Sequence, residues 1–452
     1  MRNKPAIIAG KLAGKVTKLR AGGTALPGLV AERLAPSLLA DFVRVNFPKG
    51  LVFVTGTNGK TTTTRLATKI LEDSGHTVLT NKAGSNLPRG ILASFLAQSD
   101  MDGHIEADLA VLEVDEGYFP QLMVELRPKT VVVSNIFRDQ LDRYGEVDAI
   151  VQAFVEAFNT YTPDHIVFNA DDPLVYSIAR LAKLNPTYFG INNYPVSEKA
   201  YDYAPDIVDD PIHHKKLEYS QRYFSHIGKY RSVDGGFERP DPEISAENIS
   251  KNNNHKYKVV VNNTTDRITV NFNQMGLYNI YNLLAALSVG SVLGIALADA
   301  SRSTEAVSEA FGRAEQQSIH GKTVTTLLIK NPTGFNQVIS NFLAEKPYLP
   351  ALFIINDKLA DGRDISWLWD SNLEVLGGKQ SIMVSGSRAF DMALRLKYAG
   401  INNVEVLPNL DAALTSFTQQ VESEGGYIVP TYTALLELQK YLHKHDKKGK
   451  WL

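Results

Sequence analysis

Gly56, Thr57, Asn58, Gly59, Lys60, Thr61 and Thr62 stand between an apolar run, Leu51 to Thr55, and a helical pattern that closes at Gly75. Small residues in that context let backbone N–H groups converge on phosphate oxygens, and the helix N-terminus adds its positive end. A lysine then reaches the outer phosphates, and a threonine hydroxyl can ligate Mg²⁺. These seven residues are therefore read as a nucleotide phosphate loop, with Lys60 on the outer phosphates and Thr61 on the metal. Only Thr57 and Asn58 separate Gly56 from Gly59, so the loop is shorter than the common G-x-x-x-x-G-K-[ST] form. Removing Lys60 is expected to abolish turnover and to leave folding intact.

A second chemical fact is an absence of residues. The chain has no cysteine, which excludes disulfides, Cys-ligated zinc or iron–sulfur clusters, and a thiol nucleophile from this polypeptide. Any thiol chemistry must come from a partner.

The elements that must position the loop follow a strand, loop, helix rhythm. After LVFVT the apolar runs ADLAVLEV, TVVVSNIF and HIVFN each lead into turn residues or a helical stretch, as a mostly parallel sheet with crossover helices requires. From about Tyr194 to Arg267 the sequence turns polar, and YKVVVNNTTDRITVNF then predicts a hairpin, so this stretch reads as an insertion plus an antiparallel edge. A helix is predicted from Tyr278 to Leu293. A second βα series starts near Val324 with TTLLIKNPTG, ALFIIND, SIMVSGSRAFDMALRL, VEVLP and GYIVPTYTALLEL. The expected division is 1–45 as an N-terminal basic helical segment, 46–298 as the ATPase domain and 299–452 as a C-terminal α/β domain. In residues 2–20 Ile8, Leu12, Val16 and Leu19 recur at helical spacing among six basic residues and no acid. The expectation is a helix packed on the protein body with its lysines in water, an anionic membrane surface being the alternative. The KHDKKGK end reads as a solvated tail.

The 452 residues, 44% hydrophobic and 21% charged, suit two or three globular domains. A formal net charge of −2 gives no global basic field, which disfavours a whole-protein nucleic-acid binder. No apolar run approaches the ~20 residues of a membrane span, and the start lacks the apolar core of a signal peptide. The expectation is a cytoplasmic chain.

Gly-Thr-Asn-Gly-Lys-Thr-Thr resembles the ATP loop of the Mur ligase family, which joins amines to carboxylates through acyl phosphates. The resemblance implies an α/β fold with a central P-loop domain built on a parallel sheet and a C-terminal Rossmann-like α/β domain. In ADLAVLEVDEG, Glu113 falls where the family has a Mg²⁺-binding glutamate, and a carboxylate there suits a hard cation. NIFRDQLDRYGEVD resembles the family's D-H-x-D-R stretch, with Gln140 in place of a histidine that often ligates a second metal. NADDP at 169–173, Asn279 and Asn282 resemble the adenine-side and linker motifs, and Gly312-Arg313 resembles the arginine that reaches the nucleotide.

Where ordinary Mur ligases carry Asp-Tyr-Ala-His-Asn-Pro, this chain has Leu327-Leu328-Ile329-Lys330-Asn331-Pro332, and the aspartate is gone. With AGKLAGK, NKAGSNLPRG, FRDQLDRYGEVD and NDKLADGRDISWLWD, the chain resembles the MurT family, synthetase subunits of lipid II isoglutaminyl synthase. That resemblance implies ATP-dependent amidation of the α-carboxyl of D-glutamate in the lipid II stem peptide, with ATP and Mg²⁺ as cofactors. It also implies ammonia from a GatD-like glutaminase bound to the C-terminal domain, and lipid II met at the inner face of the membrane. A Mur or folylpolyglutamate-type amino-acid ligase and an ATP-binding scaffold without chemistry are the rival readings. MurT proteins usually carry a four-cysteine zinc ribbon. Here the ligand positions, near 205–240, hold Asp210, His213, about Ser232 and Gly235, so the ribbon's shape is expected without zinc, and His213, His214 and His226 are expected to be solvated. Asp364, in the DGRD segment, is carried over as the carboxylate that orients a partner glutaminase's histidine. Asp357 and Asp361 are its nearby competitors, and the plainer alternative is that Asp364 caps the helix that follows.

Overall fold

The computed structural model describes residues 3–19, 25–81, 85–139, 147–194, 205–251, 257–305, 307, 313–378 and 381–445. The chain divides into two compact units. The first comprises Met1–Phe137, Val147–Val196 and Ile207–Ser308, and the second Arg138–Glu146, Ser197–Asp206 and Glu309–Leu452. Against the expected 298/299, the division falls after Ser308, because Leu297 and Ala300 of the helix Leu297–Glu305 share the first unit's core with Leu66 and Ile70.

The first unit is built on a nine-stranded sheet of order β11-β10-β9-β6-β5-β4-β1-β3-β2. Its strands are β1 (Gly50–Thr55), β2 (Val78–Thr80), β3 (Leu109–Glu113), β4 (Thr130–Val133), β5 (His165–Asn169) and β6 (Thr187–Ile191), then β9 (Ile244–Lys251), β10 (Tyr257–Asn262) and β11 (Arg267–Phe272). β1 to β6 and β9 run parallel, and β10 and β11 add the predicted antiparallel hairpin. Buried on both faces, β3 and β4 read as continuous apolar runs instead of alternating ones. The register sets Val54 beside Glu113 and Thr55 beside Val133, so the ends of β1, β3 and β4 share one edge. Open α/β sheets place their functional groups at that carboxyl edge. The helix Leu277–Val292 is apolar nearly all round and is buried against the helix Lys60–Asp73.

Within the polar insertion, β7 (Leu217–Phe224) and β8 (Ile227–Ser232) pair as a separate antiparallel ribbon with a small core of Leu217, Tyr230 and Phe237. The N-terminal helix Lys4–Leu19 does pack on the body, but not through the predicted residues. Ala6, Ile7 and Gly10 are buried, while Ile8, Leu12 and Val16 face outward. Small residues win the packed side because the backbone comes close: a Cβ on Gly10 would lie 2.7 Å from Leu96 Cδ1 and 3.1 Å from Ala31 Cβ. No described helix is long and apolar enough to cross a membrane.

The second unit has a six-stranded sheet of order β12-β13-β17-β14-β15-β16. A hairpin of β12 (Arg313–Ile319) and β13 (Lys322–Leu327) turns at His320-Gly321, both at positive φ. β14 (Ala351–Ile354), β15 (Ile382–Ser385), β16 (Val404–Val406) and β17 (Gly426–Pro430) complete a parallel array with β13, as the second βα series predicted.

Candidate active site

The loop after β1 is shaped by two glycines at positive φ, Gly56 at +125° and Gly59 at +90°. A Cβ on Gly56 would lie 2.4 Å from Ser134 Oγ, and one on Gly59 2.0 Å from Asn282 Oδ1, so neither position admits a side chain. The segment after β4 holds the loop from beneath. Thr57 N–H donates to Asn135 O at 3.0 Å, Asn58 N–H donates to Asn135 Oδ1 at 2.8 Å, and Asn135 Nδ2 returns a bond to Asn58 O at 2.9 Å. Thr57 Oγ1 accepts from Phe137 N–H at 2.9 Å. The helix Lys60–Asp73 starts on the loop and directs its positive end there.

Lys60 Nζ donates to Gly56 O at 2.6 Å, to Thr57 O at 3.1 Å and to Glu116 Oε2 at 2.7 Å. Burial acts to lower its pKa, but Glu116, Asp115 and Glu113 outweigh that effect and hold the ammonium above its ordinary value. Glu113, the last residue of β3, accepts from the Thr61 hydroxyl at 2.7 Å and from Asn86 Nδ2 at 3.2 Å. Asn81 brackets the Glu113 backbone, accepting from its N–H at 2.8 Å and donating to its carbonyl at 2.9 Å. Thr61 and Glu113 thus meet as hard oxygen donors beside the loop lysine, a set that fits Mg²⁺. Among the described residues no group of three or more His, Asp or Glu is placed to hold a metal. Mg²⁺ is commonly bound by one or two carboxylates and completed by phosphates and water.

Asn282 reaches the loop directly: its Oδ1 lies 3.3 Å from Thr63 Oγ1. Asn279 stands one step back, accepting from Asn282 Nδ2 at 2.8 Å and donating to Met275 O at 2.7 Å. In NADDP, Asp172 caps the helix Pro173–Leu181 and accepts Ile136 N–H at 2.8 Å, while Asp171 pairs with Arg239 at 2.5 Å and accepts from Tyr281 at 2.7 Å. Gln140 and Gly312 lie outside the described residues, as do Lys82 to Gly84 of the NKAGSN loop. Arg313 opens β12, and its side chain is likewise outside them. The sequence reading does not single out Glu116, Asn81, Asn86 or Asn135. The signal available for Glu116 was the cluster of three acids, Glu113, Asp115 and Glu116, at a strand end.

In the second unit only one of the three acids of the 357–364 segment is exposed. Asp357 is held by Ser387 Oγ at 2.8 Å and Arg388 Nε at 2.8 Å, and its pKa is lowered chiefly by the Ser387 bond. Asp361 is buried under the helix Tyr432–His445, accepting from the Thr433 N–H at 2.7 Å and from the Thr433 hydroxyl, and burial raises its pKa. Asp364 is solvent-facing, and its Oδ1 accepts Ser366 N–H at 2.8 Å at the start of the short helix Ser366–Asp370. Lys330, which falls at the histidine of the Asp-Tyr-Ala-His-Asn-Pro run, forms an ion pair with Asp139 at 2.6 Å. Trp369, Phe390, Leu394 and Tyr398 form an exposed apolar group on this unit. Trp369 and Tyr398 lie ring to ring at 5.3 Å.

The ribbon's two knuckles are organised by side-chain oxygens. Asp210 Oδ1 accepts the N–H groups of Ile212 at 3.1 Å and His213 at 2.6 Å, and Oδ2 accepts that of Lys215 at 2.9 Å. Ser232 Oγ accepts Phe237 N–H at 3.0 Å and donates to Asp234 at 2.7 Å, with Gly235 in the turn at positive φ. His213 and His214 are exposed or nearly so, as expected. His226 is not solvated: it is fully buried, 4.8 Å from the Phe137 ring and 3.5 Å from Asp172 Oδ1, because it turns inward at the β7–β8 bend.

Residues 54–290 match the Mur ligase middle domain family, and residues 328–435 match the MurT ligase C-terminal family. The chain is 32% identical over 443 residues to the lipid II isoglutaminyl synthase (glutamine-hydrolyzing) subunit MurT of Streptococcus pneumoniae, covering 96% of each chain. Among solved structures, a pseudomurein peptide ligase type C from Methanothermus fervidus shares the fold with a TM-score of 0.68 and 20% identity, over 90% of this chain and 81% of that one. MurF ligase from Thermotoga maritima in complex with ADP does so with a TM-score of 0.63 and 14% identity, over 92% and 85%. Both family matches fall on the units that carry the loop and the DGRD segment, and near-full-length identity joins them: the chain belongs to the MurT family of Mur-ligase-fold proteins.

Proposed function

We propose that the chain is the ATP-dependent ligase subunit of a lipid II isoglutaminyl synthase. It amidates the α-carboxyl of the stem-peptide D-glutamate to D-isoglutamine. A carboxylate resists amine attack because its leaving group would be oxide. Transfer of the γ-phosphoryl group of ATP to a carboxylate oxygen gives an acyl phosphate and ADP. Ammonia then attacks the carbonyl carbon, phosphate leaves, and the nitrogen loses a proton. The observation that carries the reading is the buried Lys60 ammonium at the loop, flanked by Glu113 and Glu116. Lys60 stabilises negative charge building on the transferring phosphoryl group, and the loop N–H groups and helix end orient the polyphosphate. Mg²⁺ held by Thr61 and Glu113 would neutralise the outer phosphates and act as a Lewis acid.

A Cys-His glutaminase needs a thiolate that this chain does not have, so the ammonia is either free or made by a second polypeptide. The MurT resemblance favours the second polypeptide, a GatD-like glutaminase partner, in keeping with the glutamine-hydrolyzing name of the pneumococcal relative. Its docking face is assigned to the exposed group Trp369, Phe390, Leu394 and Tyr398 on the unit that carries the exposed Asp364. The ribbon is assigned a shape maintained without zinc, because Asp210 and Ser232 already engage the knuckle N–H groups that thiolates would otherwise accept. As an ATP consumer the chain belongs in the cytoplasm, meeting lipid II at the inner membrane face.

The test is amidation of lipid II by the purified chain with ATP, Mg²⁺ and ammonium chloride, followed by mass spectrometry. The expected result is ADP release coupled to the small mass decrease of acid-to-amide exchange. ADP release without that change, or an amino acid appended to lipid II, overturns the reading.

A further inference from the structure

The N-terminal helix Lys4–Leu19 is apolar on two sides, and only one of them is used. Ala6, Ile7 and Gly10 are buried against the helices Leu26–Leu34 and Pro88–Gln98. On the opposite side Ile8, Leu12 and Val16, spaced i, i+4 and i+8, are 37%, 57% and 49% exposed. That spacing sets three branched aliphatics in one row along the helix. The same helix carries Lys4, Lys11, Lys15 and Lys18 and no acid. Lys4 pairs with Asp102 at the helix start and Lys11 donates to Leu96 O and Ser99 O, which fixes the helix on the body with its aliphatic row outward.

A row of apolar side chains beside the exposed Lys15, on a helix with no acid, is the pattern of a helix that lies in a lipid interface, its apolar groups at the acyl boundary and its ammonium charge toward the phosphates. A second copy of the chain fits less well. Three aliphatic side chains bury far less than the ~800 Å² per partner of a stable protein interface, and two-fold pairing would face lysine against lysine. We propose that the Ile8, Leu12 and Val16 face of this helix docks on an anionic lipid surface. The inference needs only the helix and is independent of the reaction, but it would hold the chain where a lipid-linked substrate resides.

The test is cosedimentation of the full chain with phosphatidylglycerol vesicles and with phosphatidylcholine vesicles at low salt. Binding to the anionic vesicles is expected to exceed binding to the neutral ones by about tenfold and to fall steeply as salt is raised. The Ile8→Ser, Leu12→Ser, Val16→Ser triple variant should lose about tenfold of that binding, with an unchanged unfolding temperature and unchanged amidation of a water-soluble lipid II analogue. If the triple variant unfolds early, Leu12→Ser alone serves. Absence of sedimentation with phosphatidylglycerol, equal binding by the variant, or a lipid-free dimer that the variant dissolves would each overturn the proposal. Loss of soluble-analogue amidation in the parent chain would instead count against the proposed reaction.

Discussion

Lys60 and Glu116 form a buried ion pair at 2.7 Å, with side-chain exposures of 8% and 3%. The lysine that the loop aims at phosphate is thus seated on a carboxylate from the turn after β3. Removing one partner of a buried pair strands the other, which typically costs about 3–5 kcal/mol. The pair argues for a stability cost of deleting the loop lysine, beyond the loss of turnover expected from the sequence. Lys60→Ala should cut ATP turnover by about 10²–10³ and also lower unfolding stability. The double variant Lys60→Ala, Glu116→Gln should regain most of the stability and none of the turnover. ADP release and urea unfolding of the two variants decide it, and parental stability in the single variant would show that the pair is not energetically coupled.

Glu113→Gln separates geometry from charge. Thr61 and Asn86 bond to different oxygens of Glu113; in a glutamine the amide oxygen can accept from Asn86 while the amide nitrogen donates to the Thr61 hydroxyl, so the end of β3 should hold its shape and nucleotide should still bind. The lost negative charge should reduce magnesium-dependent turnover by about 10² and raise the Mg²⁺ concentration for half-maximal rate. Titration of turnover against Mg²⁺ is the check. Full activity at parental Mg²⁺ would remove Glu113 from the metal site.

Much of this site was legible because its parts are local in sequence. The loop is one contiguous stretch after an apolar strand, and Glu113 ends the next strand over. Glu116, Asn81 and Asn135 were not legible in the same way. Each is a polar residue in a turn, and its role exists only once β1, β2, β3 and β4 lie side by side in register. The N-terminal helix was correctly read as a helix but inverted in facing. Hydrophobic periodicity picks the bulkiest row, Ile8, Leu12 and Val16, whereas the close approach of Pro27 and Leu96 selects glycine and alanine. His226 was misjudged because burial at a hairpin bend has no signature in composition.

The ribbon gives a prediction about what replaces a metal. Asp210 accepts three backbone N–H groups, so Asp210→Ala would leave them without acceptors and should cost about 2 kcal/mol, confined to the β7–β8 ribbon. Hydrogen exchange of residues 208–238 is the readout. In parallel, elemental analysis should find no stoichiometric zinc, and a chelator should leave the unfolding temperature unchanged. One zinc per chain, or a chelator-induced drop, would show that Asp210 and His213 belong to a metal site after all.

Asp364 separates two roles that one side chain can play. Its Oδ1 bond to Ser366 N–H matches a local turn or cap role, and its exposure leaves the carboxylate able to face a second protein. Asp357 and Asp361 are tied to Arg388 and Thr433, so neither competes for that outward role. A carboxylate that orients the histidine of a Cys-His glutaminase also stabilises its imidazolium form, and loss of such a group acts on glutamine cleavage alone. Asp364→Asn keeps an oxygen for Ser366, so its cost to stability should stay below about 1 kcal/mol. In the complex with the glutaminase, the variant should lose about 10²-fold or more of glutamine-driven amidation while ammonium-driven amidation and ATP use stay near parental. Rates with glutamine and with ammonium chloride, measured side by side, decide between the roles. An equal fall with both nitrogen sources would confine Asp364 to the turn and refute its part in the partner's chemistry.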